Sequence, residues 1–436
     1  ENVNYNLPPS NKGLIVQRST NSYASDKTEY KTGGADVITV KVSPAELSIE
    51  PLESFFTFKA SASNAAMRYK GSIKRLFKKL TITSIATGQV LETIDELGLI
   101  EKVISDCTVP MATKKRSGML EGIAEGLLDV PDHKIELLES EVKATAVGAG
   151  PATFKAYTTQ DPYETATATA WAGTAGRHYA VHFHASGLLT TPKYLHLKHL
   201  GGLQFDFEFY PEATIAASAL AYTVTVSDFQ FHASIVKFSD KLNGALAKAS
   251  QEGQLSLAIS SWFSNSRTTQ VNGDNVIEII KPASNIRMAV AMKRLTASIA
   301  AANVDSFASN GDNFGAYQWD MGGVQYPNKP VKNPAQALAE LHKAFGYWNS
   351  VHTNNITYEE YTRTTGNGYL APKQYYAVDF ESDPKSFSTG QSGKNGNNIR
   401  LTYTGDLSGA QHTFNVFLLY TRILNIVGDG QIQVQE

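Results

Sequence analysis

Apolar and polar positions alternate with a period of two over much of the chain, the pattern of strands that bury one face. Val37–Val42, Phe56–Ala60 and Leu80–Ile85 follow it, and Gln89–Ile94 answers the last of these across a turn at Ala86-Thr87-Gly88. Leu203–Phe209 alternates most cleanly: Leu203, Phe205, Phe207 and Phe209 share one face, and Gln204, Asp206 and Glu208 the other. Further strand-like runs are Tyr179–Phe183, Tyr194–Leu200, Ala221–Val226, Leu255–Ile259, Val276–Ile280, Met288–Ile299, Tyr375–Phe380, 399–404 and 413–420, with a last one near 422–434. Period 3.6 is rarer. It predicts a short helix over Leu97–Ile104, one over Ser239–Gly253 with Ser239 as cap, and one over Asn333–Gly346 with Asn333 as cap and Pro334 in the first turn. Residues 111–175 are rich in Ala, Thr and Gly and read as long loops with short strands such as Lys155–Thr159; Gly311–Lys332 also reads as a loop. Many strands with few inserted helices make an all-β chain of sandwiches, not a parallel βαβ sheet.

The end of the chain echoes its middle. Tyr222–Phe231 returns in style as Phe414–Ile423, Leu203–Phe209 as Ile399–Thr404, and Lys78–Ile85 as Lys293–Ile299, in the same order. Such a series is expected of two copies of one strand-rich domain. The reading is an N-terminal arm over 1–36, polar apart from Leu14-Ile15-Val16, then one unit over 37–246 and a second over 247–436, divided within the Ser239–Gly253 helix.

Composition narrows the function. With 436 residues, 42% hydrophobic, 10% aromatic and only 18% charged, the chain has apolar surface enough for large cores and contacts. A net charge of −2 argues against gripping nucleic-acid phosphates as its main work. The basic run Tyr69–Lys79 and Lys114–Arg116 read as solvated faces. One cysteine, Cys107, excludes an intrachain disulfide and reads as a small buried hydrophobe. No run reaches the ~18 apolar residues that cross a bilayer. The start at Glu1 and not Met points to a processed or trimmed N-terminus.

Candidate chemistry is thin. His178, His182, His184, His196 and His199 crowd together, and His182 and His184 share one strand face as metal-binding imidazoles do. No carboxylate follows until Asp206, so they read as surface or subunit-contact histidines, with a pH-sensitive interface as a further option. Asp379 and Glu381, like Asp206 and Glu208, share a strand face and could pair as acid and base. The wet side of an alternating strand explains them better. Gly390–Asn395 lacks the spacing of a phosphate loop, and Asn355-Ile356-Thr357 is a glycosylation triplet. No catalytic, cofactor-binding or metal residue is assigned.

Three stretches resemble the double jelly-roll major capsid proteins of tectiviruses, adenoviruses, virophages, polinton-like viruses and large algal viruses. They are Ile73–Ile82 with Gly88–Ile94, Tyr194–Phe209 with Ala221–Phe231, and Tyr326–Pro330 with Pro334–Phe345, Asp379–Glu381 and Phe414–Ile426. The resemblance implies two tandem eight-stranded jelly rolls standing side by side, with no enzymatic activity and no cofactor. It further implies homotrimeric, pseudo-hexagonal capsomers that tile an icosahedral virion shell. Its partners would be copies of itself, minor capsid and penton proteins, and an internal membrane reached by the arm, without sequence-specific nucleic acid. The stretch 143–175 departs from the family and reads as an outer-tip or trimer-seam loop. The competing readings are a tandem β-sandwich carbohydrate-binding or adhesin protein using Trp319, Tyr326 or Trp348, and a jelly-roll enzyme of cupin or sugar-hydrolase type.

Overall fold

The computed structural model describes residues 15–33, 35–45, 47–63, 72–109, 120–121, 177–215, 223–253, 255–269, 274–299, 307, 309, 314–346, 356–362, 373–382, 389–405, 410–427 and 431–436. The chain first runs through β1 (Ile15–Ala24), β2 (Glu29–Lys31), β3 (Val37–Val42), β4 (Ser48–Ala62), β5 (Phe77–Ser84), β6 (Val90–Asp95), β7 (Arg177–Val181), β8 (Leu195–His196), β9 (Leu203–Phe209) and β10 (Val224–Phe238). The helix Asp240–Gln251 follows. Then come β11 (Leu255–Thr268), β12 (Asp274–Ile279), β13 (Ile286–Leu295), β14 (Ala316–Met321), β15 (Val324–Val331), β16 (Tyr375–Asp379), β17 (Ile399–Thr404), β18 (His412–Ile426) and β19 (Ile432–Gln435).

These strands form four antiparallel sheets. Two have the orders β1-β10-β4-β7 and β3-β9-β5-β6; the other two are β11-β18-β13-β16 and β12-β17-β14-β15. Set aside the short β2, β8 and β19 that add to the edges, and each half has eight strands. In both halves the first sheet takes the first, eighth, third and sixth strands, and the second takes the second, seventh, fourth and fifth. That order is the double Greek key of a jelly roll, so the chain is two tandem eight-stranded jelly rolls.

The internal echo is correct for two of its three pairs. β10 and β18 are both eighth strands, and β9 and β17 both seventh. The third pair fails: Lys78–Ser84 lies in β5, a fourth strand, whereas Lys293–Leu295 ends β13, a third strand of the opposite sheet. Alternating Leu, Thr and Ile suit either layer, so periodicity does not specify which sheet receives them.

Other expectations change with tertiary pairing. Of the stretch read as an arm, residues 15–24 are β1, paired to β10 from Ile15↔Phe238 to Ala24↔Gln230, and 29–31 are β2 on the same strand. β1 lacks alternation because it is an edge strand held by backbone hydrogen bonds, with most of its side chains exposed. The loop expected over Gly311–Lys332 contains the hairpin β14–β15. Gly322 and Gly323 turn it with φ of 60° and 86°, and Pro327 and Pro330 are tolerated because β15 is an edge. Tyr194–Leu200 is strand only at Leu195-His196, then one helical turn, Leu197–Leu200, closed by Gly201 at φ 71°. The run expected at 413–420 extends through Ile426 as β18, and the last strand is only Ile432–Gln435.

The helix Pro334–Ala344 forms as its sequence predicts, with Asn333 Oδ1 accepting from the Gln336 amide at 2.8 Å. Asp240–Gln251 also forms, although Ser239 caps it by position without a side-chain bond. The helix at Leu97 runs past Ile104 to Thr108. Lys155–Thr159, Lys114–Arg116, Trp348, Asn355 and the stretch 143–175 lie outside the described residues.

The first roll is filled by phenylalanines. Phe56 contacts Phe183, Phe205, Phe207, Phe229 and Phe231 with ring centroids 4.7–5.7 Å apart. The second is filled by tyrosines, with Tyr376 against Tyr317, Tyr403 and Phe414. A buried tyrosine needs a partner for its hydroxyl. Tyr361 donates to the Tyr375 carbonyl (2.8 Å), Tyr376 to Gln374 Oε1 (2.8 Å), and Tyr403 accepts from the Gly315 amide (3.0 Å).

Candidate functional site: the seam between the rolls

The rolls meet through unlike surfaces. The first contributes β6 and the helices Leu97–Thr108 and Gly187–Thr190; the second contributes β11, β18 and β13, with β16 behind. Across the second roll's sheet, Trp262, Leu419, Met288 and Asp379 occupy one register row. Gly187 fits this contact because it has no side chain: a Cβ there would lie 2.2 Å from the Ser260 carbonyl oxygen of β11.

Buried polar groups line the seam. Glu92, on β6, is fully buried and accepts from Ser186 Oγ (2.7 Å) and from the Gly187 and Leu188 amides (2.9 and 3.2 Å). Burial pushes its carboxyl up, against the pull of these donors. Within the helix Leu97–Thr108, Lys102 pairs with Asp106. The Tyr375 hydroxyl of β16 donates to Asp106 (2.7 Å) and accepts from Lys102 (2.8 Å). Asp106 lies in the last turn of the helix, where the helix dipole disfavours a carboxylate, and its two buried partners, Lys102 and Tyr375, offset this. Tyr210 packs edge-on against Phe307 at 5.4 Å, and the Arg75 guanidinium lies over the same ring at 5.3 Å.

Lys74 departs from expectation. The run Tyr69–Lys79 reads as a solvated face, yet Lys74 is buried, with Glu101 at 3.3 Å, Glu121 at 3.1 Å and His184 Nδ1 at 3.3 Å. Burial opposes its charge, but the two carboxylates prevail and raise its pKa. On Glu101, burial is likewise outweighed by Lys74, His184 and the Ala185 amide (2.7 Å), and the carboxyl falls to about 2.

The histidines divide into two pairs. His182 and His184 lie just past β7, with ring centroids 5.2 Å apart. His182 Nε2 faces the Leu189 carbonyl at 3.2 Å, and burial, then His184, lowers its pKa. His196 and His199 lie tilted against each other, centroids 4.5 Å apart, near the helix Asp240–Gln251, with His196 Nε2 3.5 Å from Asn243 Oδ1. His178 is exposed on β7. Among the described residues no cluster of three or more His, Cys, Asp or Glu is arranged to hold a metal ion, and no helix is long and apolar enough to cross a membrane.

Asp379 and Glu381 are not simply the wet side of an alternating strand. Tyr375–Val378 are buried on both faces, because the helix Pro334–Ala344 covers β16 outside. Glu381 is held by Arg287 Nε at 2.5 Å, and its amide donates to Asp379 Oδ1 at 2.9 Å. Burial raises the Asp379 carboxyl to about 6. Asp206 does face outward, bound by Thr39 Oγ1 (2.7 Å) and Gln204. Cys107 is buried beside the seam, as a small hydrophobe would be. A cleft of about 350 Å³ lies over Trp262, Met288 and Leu419 and is rimmed by His184, Arg287 and Glu381. Its acid is already neutralised by Arg287, so no acid/base pair converges there. Trp319 is wholly buried and Tyr326 packs edge-on against Phe380, which leaves neither as an open sugar platform.

Sequence reasoning missed Lys74, Glu92, Glu101, Lys102, Asp106 and Gly187. Lys102 and Asp106 carried a local signal, the i,i+4 spacing of an ion pair on one helix face. The rest gained their roles from partners distant in sequence.

No known protein family's model matches the chain, and no curated protein matches it by sequence. Solved structures do. A chain in the 3.5 Å cryo-EM structure of the Sputnik virophage aligns over 100% of this chain and 91% of its own, with TM-score 0.59 at 10% identity. The Faustovirus major capsid protein aligns over 98% and 92%, with TM-score 0.57 at 10% identity. A chain of the PBCV-1 virus capsid aligns over 96% and 97%, with TM-score 0.55 at 8% identity. Near-complete coverage in both directions at so low an identity is agreement in fold, that of two tandem jelly rolls.

Proposed function

We propose that this chain is the major shell protein of a virion, with no enzymatic activity. It assembles as homotrimers whose six rolls form a pseudo-hexagonal capsomer, and the capsomers tile an icosahedral capsid. The observation that carries this reading is the pair of jelly rolls with one strand order, matched end to end by chains from viral capsids. The seam chemistry fits the role: the Tyr375 hydroxyl on the Lys102–Asp106 pair and Phe307 against Tyr210 and Arg75 join the two rolls. The division near 246–247 falls within the helix that links the rolls. Minor capsid and penton proteins would fill the positions a six-fold unit cannot occupy. A contact with a membrane or a neighbour would not be made by a free arm at β1 and β2, which are paired with β10 in the first roll.

The test is solution mass by light scattering behind a sizing column, followed by electron microscopy. Three chains of 47.4 kDa give about 142 kDa, and hexagonal particles of that species would support the capsomer. A persistent monomer would sink the trimer and return the carbohydrate-binding reading to first place, with a glycan screen as its check.

A further inference from the structure

Beyond Tyr420 the long strand β18 changes neighbour. Along one edge β11 pairs with it from Thr413 to Ile426. Along the other, β13 covers it only as far as Tyr420, and β19 takes over from Ile423 to Ile426. β19 is a slight cover: four residues, with Ile432 buried but Gln433 and Gln435 exposed. So short an edge strand gains little from apolar burial and needs an anchor. Glu436, the next residue, supplies one. Its carboxylate accepts from Lys281 Nζ at 2.5 Å and from the Tyr420 hydroxyl at 3.2 Å, and lies 3.7 Å from the Arg422 guanidinium. The Lys281 and Arg422 side chains are each only 11% exposed.

The pocket that receives this carboxylate does not depend on it. Lys281 Nζ lies 4.4 Å from the centre of the Tyr420 ring and 5.3 Å from that of Phe263, so its charge keeps two aromatic faces when the acid leaves. Arg422 Nε is buried and has no acceptor among the described residues, so Glu436 leaves part of the guanidinium unused. The cleft around these groups has a volume of about 210 Å³ and is lined also by Thr93 and Asp95 of β6. Asp95 has its own cation, Lys79 at 3.9 Å, which leaves the two cations of the second roll to an incoming acid.

We infer that Lys281, Tyr420 and Arg422 form a carboxylate-binding site that the chain fills with its own Glu436, and that this contact is a releasable clip holding β19 on the β18 edge. A competing carboxylate that occupies the site opens the clip and bares the backbone of Ile423–Ile426, an edge on which an extended segment can add. The clip belongs to a single chain and does not depend on the assembly proposed above.

The test is hydrogen exchange of the full chain read by mass spectrometry, comparing a peptide over residues 432–436 with one over β11. Glu436→Ala removes the acid and Lys281→Met the main cation. Each should speed exchange in β19 roughly tenfold or more, the effect of losing a charged hydrogen bond, and leave β11 unchanged. The double variant should exchange no faster than the faster single one, because either change empties the same contact. In the unsubstituted chain, sodium acetate should speed exchange in β19 about twofold or more over sodium chloride at equal ionic strength, since acetate binds only the open form. Glu436→Ala should show no such acetate effect. Unchanged β19 exchange in Glu436→Ala would overturn the clip, as would additive single effects. An acetate effect that is absent from the unsubstituted chain, or equal in Glu436→Ala, would overturn the carboxylate site. Should Lys281→Met speed exchange in β11 as well, the site lysine supports the fold at large, and Glu436→Ala with and without acetate decides alone. None of these readings changes with the number of chains in the particle, so a failure here leaves the capsomer standing.

Discussion

Gly187→Ala tests the seam with a single methyl group. The added Cβ would lie 2.2 Å from the Ser260 oxygen, 2.8 Å from its carbonyl carbon and 3.1 Å from Ile259 Cβ. Ordinary contact begins near 3.4 Å, so one backbone must retreat by roughly 1 Å. β11 cannot yield cheaply, because all 14 of its residues are in register with β18, from Leu255↔Ile426 to Thr268↔Thr413. The Gly187 side cannot yield cheaply either, since its amide donates to the buried Glu92 carboxylate at 2.9 Å. Overpacking of this kind costs about 1–3 kcal/mol, and two constrained sides place it toward the upper end. The reduced chain entropy of alanine returns about 0.4–1 kcal/mol, leaving a net loss of about 2 kcal/mol. The control is Gly244→Ala, in the helix Asp240–Gln251, where a Cβ meets nothing within 4 Å. That change should stabilise by about 0.5–1 kcal/mol. Urea unfolding followed by tryptophan fluorescence reads both. At m-values of about 3 kcal/mol/M, Gly187→Ala should lower the first midpoint by roughly 0.7 M, and Gly244→Ala should raise it slightly. A Gly187→Ala midpoint at or above wild type, with the control behaving as described, would mean that the rolls do not touch at this point.

Three further outcomes follow from the same geometry. Lys74→Met leaves Glu101 buried without its main counter-charge and should cost about 3–5 kcal/mol in urea unfolding. Lys74→Met/Glu101→Gln, which keeps an acceptor for the Ala185 amide, should recover much of that, and strictly additive losses would refute the coupling. Asp379 has a folded pKa raised to about 6 from 3.8, so its stabilising contribution is full below 3.8 and is lost as pH rises through 6. Asp379→Asn should match wild type near pH 4 and exceed it at pH 8 in urea midpoint; a constant difference across pH would contradict the assignment. Phe56→Ala, at the centre of the phenylalanine cluster, should cost about 3–5 kcal/mol. Phe55→Ala, one position along and facing outward, should leave monomer stability within about 1 kcal/mol.

Period-two alternation was enough to read most strands, the all-β class and two of the three repeat pairs, because a strand with one buried face writes that burial into its own residues. Helix ends with local chemistry were legible for the same reason: Asn333 caps by bonding an amide three residues away. Where the alternation fails, the strand is an edge or is covered on both sides. β1 and β15 expose most of their side chains and are held by backbone pairing, which the sequence does not display. β16 is buried on both faces, by the core on one and by the helix Pro334–Ala344 on the other. The seam was the least legible part. Lys74 looked like one more lysine in a basic run, and Gly187 like an ordinary loop glycine. A lysine becomes a buried cation only when carboxylates from other segments reach it, and a glycine becomes obligatory only when another backbone comes within 2.2 Å of its missing Cβ. Local periodicity thus determined what the layers are made of, while pairing between distant strands decided which layer each joins, and contacts between residues 269 and 273 apart decided how the two rolls lock. The first depends on each segment's own apolar face, the second on partners brought close only by the completed fold.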